Sequence, residues 1–176
     1  EISLDKIKFE RMSKNHDISN FESYEQELVD FLLEDALDNQ EKKISVTYLW
    51  FLETGELIGY ITLLNDRINL EGDLKETFRE KGVLYHSLPA LKVGRICVDT
   101  RYCKKGIGTL MMAFAIKVAN HIFNNYSGCR FILLDAKRHK NNDPIHFYKK
   151  IGFNTLKERK KGTTPMFLDL VNNIKL

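Results

Sequence analysis

Apolar residues recur at helical spacing along three stretches of the chain. Residues 21–43 alternate apolar and acidic positions in a way that gives one face for a core and one for water. The core-facing positions of this stretch are Leu28, Phe31, Leu32, Ala36 and Leu37. A longer helix is predicted over about 107–125, where apolar residues step by three or four at Ile107, Leu110, Met111, Phe114, Val118 and Ile122. A third helix is predicted after Asp143, whose carboxylate can cap it, with Pro144 in the first turn and Gly152 at its end.

Short runs of β-branched and aromatic residues predict the strands. These runs are SVTYLWFLE (45–53), ELIGYITLLN (56–65), LKVGRICVD (91–99), CRFILLDA (129–136) and TTPMFLDLV (163–171). The first two flank an ETGE turn and are expected to form a β-hairpin. Residues 66–90 are ambiguous, although 73–82 has the composition of a short helix. The order of elements predicts an α/β (α+β) fold, a mixed sheet with helices packed on its faces.

The composition is that of a compact globular protein. Of 176 residues, 43% are hydrophobic and three are proline, which favours a single domain spanning 1–176. The net charge of +3 permits an anionic ligand or nucleic acid without requiring either. Cys97, Cys103 and Cys129 form neither a disulfide framework nor a zinc-site spacing, so we expect a reducing, cytoplasmic setting and no metal. No apolar run approaches the ~18 residues that a membrane span needs, so we expect a soluble protein with no membrane partner.

The clearest candidate for a binding site is the loop Cys-Lys-Lys-Gly-Ile-Gly at 103–108. It connects a strand that ends at Asp99 to the helix that begins near Ile107. Backbone N–H groups at such a helix N-terminus, with the helix dipole, suit a phosphate or pyrophosphate. The loop matches neither of two nucleotide-binding motifs. One is GxxxxGK followed by Ser or Thr, and the other is GxGxxG. The loop alone therefore leaves two interpretations open, a tight turn with solvated lysines and an anion cradle.

A second pattern follows one strand later, with Asn141, then Tyr148 seven residues on, then Gly152 and Phe153. Together with the loop, over roughly residues 90–155, this resembles the GNAT superfamily of acyl-CoA N-acyltransferases. The phosphate loop of that family begins with Arg or Gln, and this chain departs from it with Cys103 while keeping the glycine spacing. The resemblance implies a splayed central sheet flanked by helices, and an acetyltransferase that uses acetyl-CoA as its donor.

The same resemblance implies roles for particular residues. The loop is expected to bind the pyrophosphate of acetyl-CoA, while backbone groups near Cys97 and Val98 hold the pantetheine arm and polarise the thioester carbonyl. The expected acetyl-CoA-binding residues are Cys97, Val98, Cys103, Lys104, Lys105, Gly106, Ile107, Gly108, Thr109, Asn141 and Phe147. Tyr148 is expected to be the general acid, because a phenol of pKa ≈ 10 stays protonated at neutral pH and can donate to the departing sulfur. Without the motif, Tyr148 would be interpreted as a half-buried helix tyrosine that packs on the sheet.

The sequence offers no evident general base. The 91–99 strand carries no glutamate, and Asp99 stands at its loop end, where it can organise the turn. A lysine amine, with pKa ≈ 10.4, needs a base to react, whereas an α-amine near 7.7–8.0 is already partly neutral at pH 7. The acceptor is therefore expected to be an α-amine, as in a peptide, an amino acid or an aminoacyl-tRNA.

Further stretches resemble the tRNA-acetylating toxins of toxin–antitoxin pairs within the same superfamily. They are the early Leu/Phe-rich helix, GYITL (59–63), PALKVGRICVD (89–99) and PMFLDL (165–170). This resemblance spans about residues 20–170 and implies tRNA, a second copy of the chain or an antitoxin as partners, although those toxins tend to be more basic. The other functional alternative is a non-catalytic acyl-CoA-binding module.

Several charged or metal-ligating residues favour simple structural roles. The basic residues at 137–140 and 157–161 are interpreted mainly as solvated loops, with phosphate or RNA contact as the alternative. His139, His146 and Cys103 have no recognised metal-ligand spacing. Cys97 is interpreted as a small buried apolar residue, because no His-paired nucleophile signature accompanies it.

Overall fold

The computed structural model describes residues 3–138, 144–159 and 162–172 and has a mixed α/β architecture. Its strands are β1 (Lys8–Arg11), β2 (Val46–Phe51), β3 (Leu57–Asn69), β4 (Ser87–Val98), β5 (Phe131–Lys137), β6 (Asn154–Thr155) and β7 (Thr163–Asp169). Its helices are α1 (Gln26–Asp30), α2 (Ala36–Glu41), α3 (Gly72–Glu80), α4 (Ile107–Asn125) and α5 (Pro144–Ile151). The seven strands form one sheet in the order β1-β2-β3-β4-β5-β7-β6. The predicted fold class, a mixed sheet with flanking helices, is confirmed.

The chain divides into two compact units. The first comprises Glu1–Leu64 and Val93–Ala115, and the second comprises Asn65–Lys92 and Ile116–Leu176. Strands β3 and β4 and helix α4 each have residues in both units. The expectation of a single domain over 1–176 stays a prediction.

The predicted hairpin is present in the first unit. Strands β2 and β3 pair antiparallel with Val46 opposite Leu63, and the chain reverses through Gly55, whose φ is +85°. Strand β1, which the sequence pattern does not predict, pairs antiparallel with β2, and all four of its residues are exposed. Because β1 buries neither face, it lacks the apolar alternation that signals a strand.

The amphipathic stretch at 21–43 forms one helical run in the first unit, as its spacing predicts. A π-helical turn, Phe31–Asp35, joins α1 to α2. Leu32 and Ala36 are fully buried and pack in a cluster with Leu49 and Tyr60. Leu28, Phe31 and Leu37 are partly buried against the same cluster. The core-facing side of the helix is therefore the one that the apolar positions identify.

The second unit is built around the antiparallel pair β5–β7, with Phe131 opposite Asp169 and Lys137 opposite Thr163. Helix α3 forms in the ambiguous 66–90 segment and buries Phe78 against Phe131, with a ring-centroid distance of 5.7 Å. Strand β4 begins at Ser87, earlier than the predicted 91. Its Pro89 has no N–H to donate, but the Pro89 carbonyl accepts a hydrogen bond from the Arg130 N–H at 2.9 Å.

Helix α5 ends as its sequence predicts. Gly152 has a φ of +115°, a conformation that favours glycine, and its N–H donates to the Tyr148 carbonyl at 3.2 Å. The next N–H, of Phe153, donates to the same carbonyl at 3.0 Å, and Phe153 is buried. This cap fixes the end of the helix that carries Tyr148.

Candidate active site

The loop between β4 and α4 presents a row of backbone N–H groups. Lys104 has a φ of +61° and Gly106 a φ of +85°, so the backbone alternates into the left-handed region before the helix begins. The first hydrogen bond of α4 joins the Leu110 N–H to the Gly106 carbonyl at 3.1 Å. Among the described residues, none accepts a hydrogen bond from the backbone N–H groups of 104–109. These donors, at the positive end of a 19-residue helix, form a concave site suited to an anion.

The carboxylate of Asp99 anchors the start of this loop. It is completely buried and accepts hydrogen bonds from the Glu22 N–H at 3.0 Å and the Arg101 N–H at 3.0 Å. The Arg101 guanidinium adds two more, Nε to Oδ1 at 2.9 Å and Nη2 to Oδ2 at 2.8 Å. Burial acts to raise the pKa of Asp99, but the hydrogen bonds from Arg101 and Glu22 outweigh it and hold the pKa below its ordinary value. Asp99 is therefore a structural anion rather than a general base.

Arg101 is a site residue that the sequence reasoning missed. Besides Asp99, its guanidinium binds the Glu56 carboxylate at 3.0 Å and donates to the Asn20 carbonyl at 3.1 Å. It thereby ties the loop to the β2–β3 turn and to the segment before α1. The available signal was the Asp-Thr-Arg spacing at 99–101, directly after a strand.

The two lysines of the loop supply exposed positive charge beside the N–H groups. Lys104 and Lys105 are both exposed. The Lys105 ammonium lies 5.2 Å from the ring centroid of Tyr102. Tyr102 in turn hydrogen-bonds Glu56, which raises the pKa of the phenol. The arrangement favours long-range attraction of an anion by the lysines and direct contact by the backbone.

The side chain of Cys103 points back toward the end of β4. Its Sγ lies 3.5 Å from the Asp99 carbonyl oxygen and 3.8 Å from that of Val98. Burial, followed by the nearby Asp99 charge, raises the pKa of this thiol. The position that is Arg or Gln in the resembling family therefore offers its backbone rather than a polar side chain.

Cys97 near the end of β4 is buried, as expected for a small apolar residue. It belongs to the core cluster with Tyr60, and its Sγ lies 3.3 Å from Ser23 Oγ. Burial raises the pKa of the thiol to about 12, so it remains protonated at neutral pH. Tyr60 beside it is also unsuited to proton transfer, since its buried hydroxyl donates to the Leu28 carbonyl at 2.7 Å.

A cavity of about 350 Å³ lies beside the start of α1. Its lining residues are Phe21, Glu22, Ser23, Tyr24, Gln26, Val29 and Thr100. Ser23 connects this cavity to Cys97, and Thr100 connects it to the anchored loop. The cavity is therefore next to the end of β4 within the first unit.

Tyr148 belongs to the second unit and is buried on α5, where it is 7% exposed. Its ring contacts Phe147 at a centroid distance of 5.1 Å and Phe153 at 5.7 Å. Phe147 is partly buried. The structure thus places Tyr148 in an aromatic cluster, a position compatible with packing and with a shielded proton donor, and its catalytic role stays a prediction.

Some predicted residues are outside the described part of the chain. These are Asp143, Asn141 and the basic residues His139, Lys140, Lys160 and Lys161. Within the described ranges, no group of three or more His, Cys, Asp or Glu side chains could hold a metal ion. No helix in those ranges has the length and hydropathy that crossing a bilayer requires.

Comparison with solved structures shows the same fold in other proteins. A tyrosine-to-phenylalanine mutant of KacT superposes with a TM-score of 0.78 at 21% identity, covering 94% of this chain and 96% of that one. AtaT complexed with acetyl-methionyl-tRNAfMet gives 0.76 at 21% identity, over 93% and 94% of the two chains. AtaTR bound with acetyl-CoA gives 0.74 at 23% identity, over 96% of each chain.

Comparison of sequences identifies the family. No curated protein sequence is significantly similar to the chain. The model of the acetyltransferase (GNAT) family, however, matches residues 9–153, which include β4, the β4–α4 loop and α5. The chain therefore belongs to the acetyltransferase (GNAT) family and is an acyltransferase with acetyl-CoA as its donor.

Proposed function

We propose that this enzyme transfers the acetyl group of acetyl-CoA directly to the α-amine of an aminoacyl-tRNA. The binding of acetyl-CoA in this proposal rests on the row of backbone N–H groups at 104–109. These groups have no hydrogen-bond acceptor among the described residues, and they suit a pyrophosphate. Support for the acceptor half comes from the fold, which AtaT shares in a complex with acetyl-methionyl-tRNAfMet. The α-amine fits a site in which Asp99 is engaged by four hydrogen bonds and cannot serve as a base.

In the proposed reaction, the acceptor nitrogen forms a bond to the acetyl carbonyl carbon while the carbon–sulfur bond breaks. Backbone groups near Cys97 and Val98 stabilise the oxyanion that develops on the carbonyl. Tyr148 donates its phenolic proton to the departing thiolate, and the proton that the amine loses restores the phenol through solvent. The loop residues Cys103–Thr109 bind the pyrophosphate of acetyl-CoA, with Asn141 and Phe147 as further contacts.

Direct transfer, without an acyl-cysteine, follows from the environment of the thiols. Burial raises the pKa of Cys97 to about 12, and the pKa of Cys103 is raised as well. A protonated thiol is a poor nucleophile. The acetyl group therefore passes from sulfur to nitrogen in one displacement.

The acceptor is tested by incubating the purified enzyme with labelled acetyl-CoA and separate pools of aminoacyl-tRNA, deacylated tRNA, free amino acids, peptides and lysine-rich protein. We expect label in aminoacyl-tRNA alone, released as N-acetyl-amino acid when the ester is hydrolysed by mild base. Label confined to lysine side chains would overturn the proposal. Binding of CoA without release of free thiol in any pool would instead identify a non-catalytic acyl-CoA-binding module.

A toxin-type enzyme of this kind would be controlled by a partner. AtaT has been solved bound to its antitoxin AtaR, and it shares this fold at 21% identity. The proposal accordingly includes an antitoxin that neutralises this chain. Its signature is a block of translation when the chain is expressed alone, relieved by co-expression of the neighbouring gene.

A further inference from the structure

Arg95 is a partly buried arginine on β4. Its guanidinium carbon lies 5.1 Å from the ring centroid of Phe31, the first residue of the π-helical turn. Its Nη1 donates only to the neighbouring Gly94 carbonyl at 2.8 Å. Its Nε is buried without a hydrogen-bond acceptor, and no carboxylate of the described residues forms an ion pair with it.

Two other arginines of the chain, Arg101 and Arg130, are satisfied differently. Arg101 and Arg130 each bind a carboxylate through two nitrogen atoms, Asp99 for the first and Asp169 for the second. A guanidinium cannot lose its proton to escape the cost of burial, and a buried N–H without an acceptor costs free energy. Arg95 therefore has donor capacity that the fold leaves unused, and stacking on Phe31 holds it in one place.

The position of Arg95 relates it to the acyl group in the proposed reaction. Side chains alternate along a strand, so Arg95 and Cys97 are on the same face of β4. That face is covered by the segment before α1 and by the π-helical turn, as the contacts of Cys97 with Ser23 and of Arg95 with Phe31 show. Residues two apart in a strand are separated by about 6.6 Å. Arg95 thus places a cation on the face of β4 that carries Cys97, two residues before the backbone proposed to polarise the thioester.

The chemistry of the acceptor decides which anion is available to Arg95. In a free amino acid the negative charge is the carboxylate, one carbon from the reacting amine. In an aminoacyl-tRNA that carboxylate is esterified, and the nearest negative charge is the phosphodiester on the far side of the terminal ribose. Guanidinium groups bind such phosphates through two parallel N–H groups.

We propose that Arg95 binds the phosphodiester of the 3′-terminal nucleotide of the aminoacylated RNA acceptor, with Phe31 as the platform that fixes its guanidinium. This inference rests on the proposed function and adds a residue that selects acceptors carrying this phosphate. Arg95 is a specificity residue rather than a participant in proton transfer.

The test compares two small acceptors that differ by one phosphate. One is a 3′-aminoacyl-amino-nucleoside with a free α-amine, and the other is the same compound with a 5′-phosphodiester. The variants are Arg95→Met, which keeps the stem and removes the charge, and Arg95→Lys, which keeps the charge without the planar fork. Arg11→Met is the matched control, because Arg11 is exposed on β1.

We expect Arg95→Met to lower kcat/KM by about 10- to 100-fold for the phosphodiester acceptor and for aminoacyl-tRNA. In this variant, kcat/KM for the acceptor without a phosphodiester and the KM for acetyl-CoA should be unchanged. Arg95→Lys should lower kcat/KM for the phosphodiester acceptor by an intermediate factor. Phe31→Leu should lower kcat/KM for the phosphodiester acceptor by roughly threefold, because the Arg95 guanidinium would be less ordered without the aromatic ring. For aminoacyl-tRNA, the slope of log KM against log salt should decrease by about one in Arg95→Met.

Two results would overturn the inference, and they are distinguishable. If wild-type enzyme acetylates the acceptors and Arg95→Met lowers kcat/KM equally for both, Arg95 has a structural role and the phosphate assignment is wrong. If wild-type enzyme acetylates neither acceptor nor aminoacyl-tRNA, the proposed function fails, and the assignment of Arg95 fails with it. Measuring the thermal unfolding of Arg95→Met separates a loss of folding from a loss of binding.

Discussion

The Asp99 carboxylate and the Arg101 guanidinium form a two-point ion pair at the start of the β4–α4 loop, with N···O distances of 2.9 and 2.8 Å. Asp99 is fully buried, whereas the side chain of Arg101 is 41% exposed. The pair therefore links a fixed anion in the interior to a cation at the surface. Through it, the loop is tied to the buried carboxylate that follows β4.

Replacing Asp99 with asparagine should destabilise the fold and weaken acetyl-CoA binding. We expect a loss of about 2–3 kcal/mol in the free energy of unfolding at pH 7, because hydrogen bonds to a charged group are lost. The folded-state pKa of Asp99 is depressed, so its contribution is present above the ordinary value of ~3.9 and is lost as pH falls through the lower folded value. The difference in the free energy of unfolding between wild type and Asp99→Asn, measured by urea unfolding, should therefore decrease below about pH 3.9.

The control for Asp99 is an exposed pair of the same charge type. Glu76 and Arg79 on α3 approach to 3.6 Å and are both exposed. Glu76→Gln should cost less than about 1 kcal/mol and leave the KM for acetyl-CoA unchanged. Equal effects of the two substitutions would show that Asp99 does not organise the loop.

Gly106→Ala should raise the KM for acetyl-CoA by about tenfold or more. An alanine here would be strained at a φ of +85°, whereas its 3.2 Å contact with Leu4 Cδ1 can be relieved by rotation of that exposed side chain. The backbone strain should reorient the N–H groups that are proposed to bind the pyrophosphate. Gly82→Ala is the control, because its φ is +78° and a Cβ would meet nothing within 4 Å. Both variants should lose about 1–2 kcal/mol of stability, since both strain the backbone equally. An unchanged KM in Gly106→Ala would argue against the loop as the pyrophosphate site.

Tyr148→Phe should lower kcat by about 10²- to 10⁴-fold while leaving the KM for acetyl-CoA nearly unchanged. The substitution keeps the ring that packs on Phe147 and Phe153, so the fold should be retained. Steady-state kinetics with aminoacyl-tRNA would measure the effect. Tyr126→Phe, at a tyrosine that is 78% exposed, is the matched control. If Tyr148→Phe and Tyr126→Phe have the same kcat, Tyr148 only packs and another group protonates the thiolate.

The sequence predicted the elements whose stability depends on local pattern. Helix α4 is long and strictly periodic, and its predicted core positions Ile107 and Met111 are buried. The cap at Gly152 needs only its own turn of chain, and it too was predicted. Strand β1 was missed because its residues are exposed and its place depends on pairing with β2 and on packing of Phe9 against Phe114. The π-helical turn was missed because one extra residue barely changes the apolar spacing.

The functional site, like the fold, was predictable where it depends on local sequence. Gly106 and the helix after it identify the loop, but the buried carboxylate that anchors the loop depends on the Glu22 N–H, 77 residues away in sequence. Arg95 carried a weak signal as one of two cations, with Lys92, in a mostly apolar strand. That no carboxylate of the described residues pairs with it is a property of tertiary packing, and only the folded chain reveals it.

Cys97→Ser should retain kcat within about threefold of wild type, because no acyl group passes through this thiol. Burial raises the pKa of Cys97 to about 12, so alkylation of the folded protein by iodoacetamide should be slow at pH 7.5 and should accelerate as pH rises toward 12. Mass spectrometry of modified peptides measures both. An acetyl group trapped on Cys97 by acid quench would contradict direct transfer.

Gly59→Ala tests the backbone at the end of β4, where the thioester is proposed to bind. A Cβ at Gly59 would lie 3.0 Å from the Cys97 carbonyl oxygen and 3.3 Å from Met111 Cε. Because a backbone atom cannot rotate away as a side chain can, β4 must shift, at a cost of about 1–3 kcal/mol. Thermal unfolding should show this loss, and kcat/KM for acetyl-CoA should fall with it.

The control for Gly59 is Gly128→Ala, where the nearest atom to a new Cβ is Pro89 Cγ at an ordinary contact distance of 3.4 Å. This variant should match wild type in both measurements. If Gly59→Ala loses stability but keeps kcat/KM for acetyl-CoA, the carbonyl-bearing backbone at Cys97 can move without affecting the donor. The oxyanion donor would then have to be sought away from the end of β4.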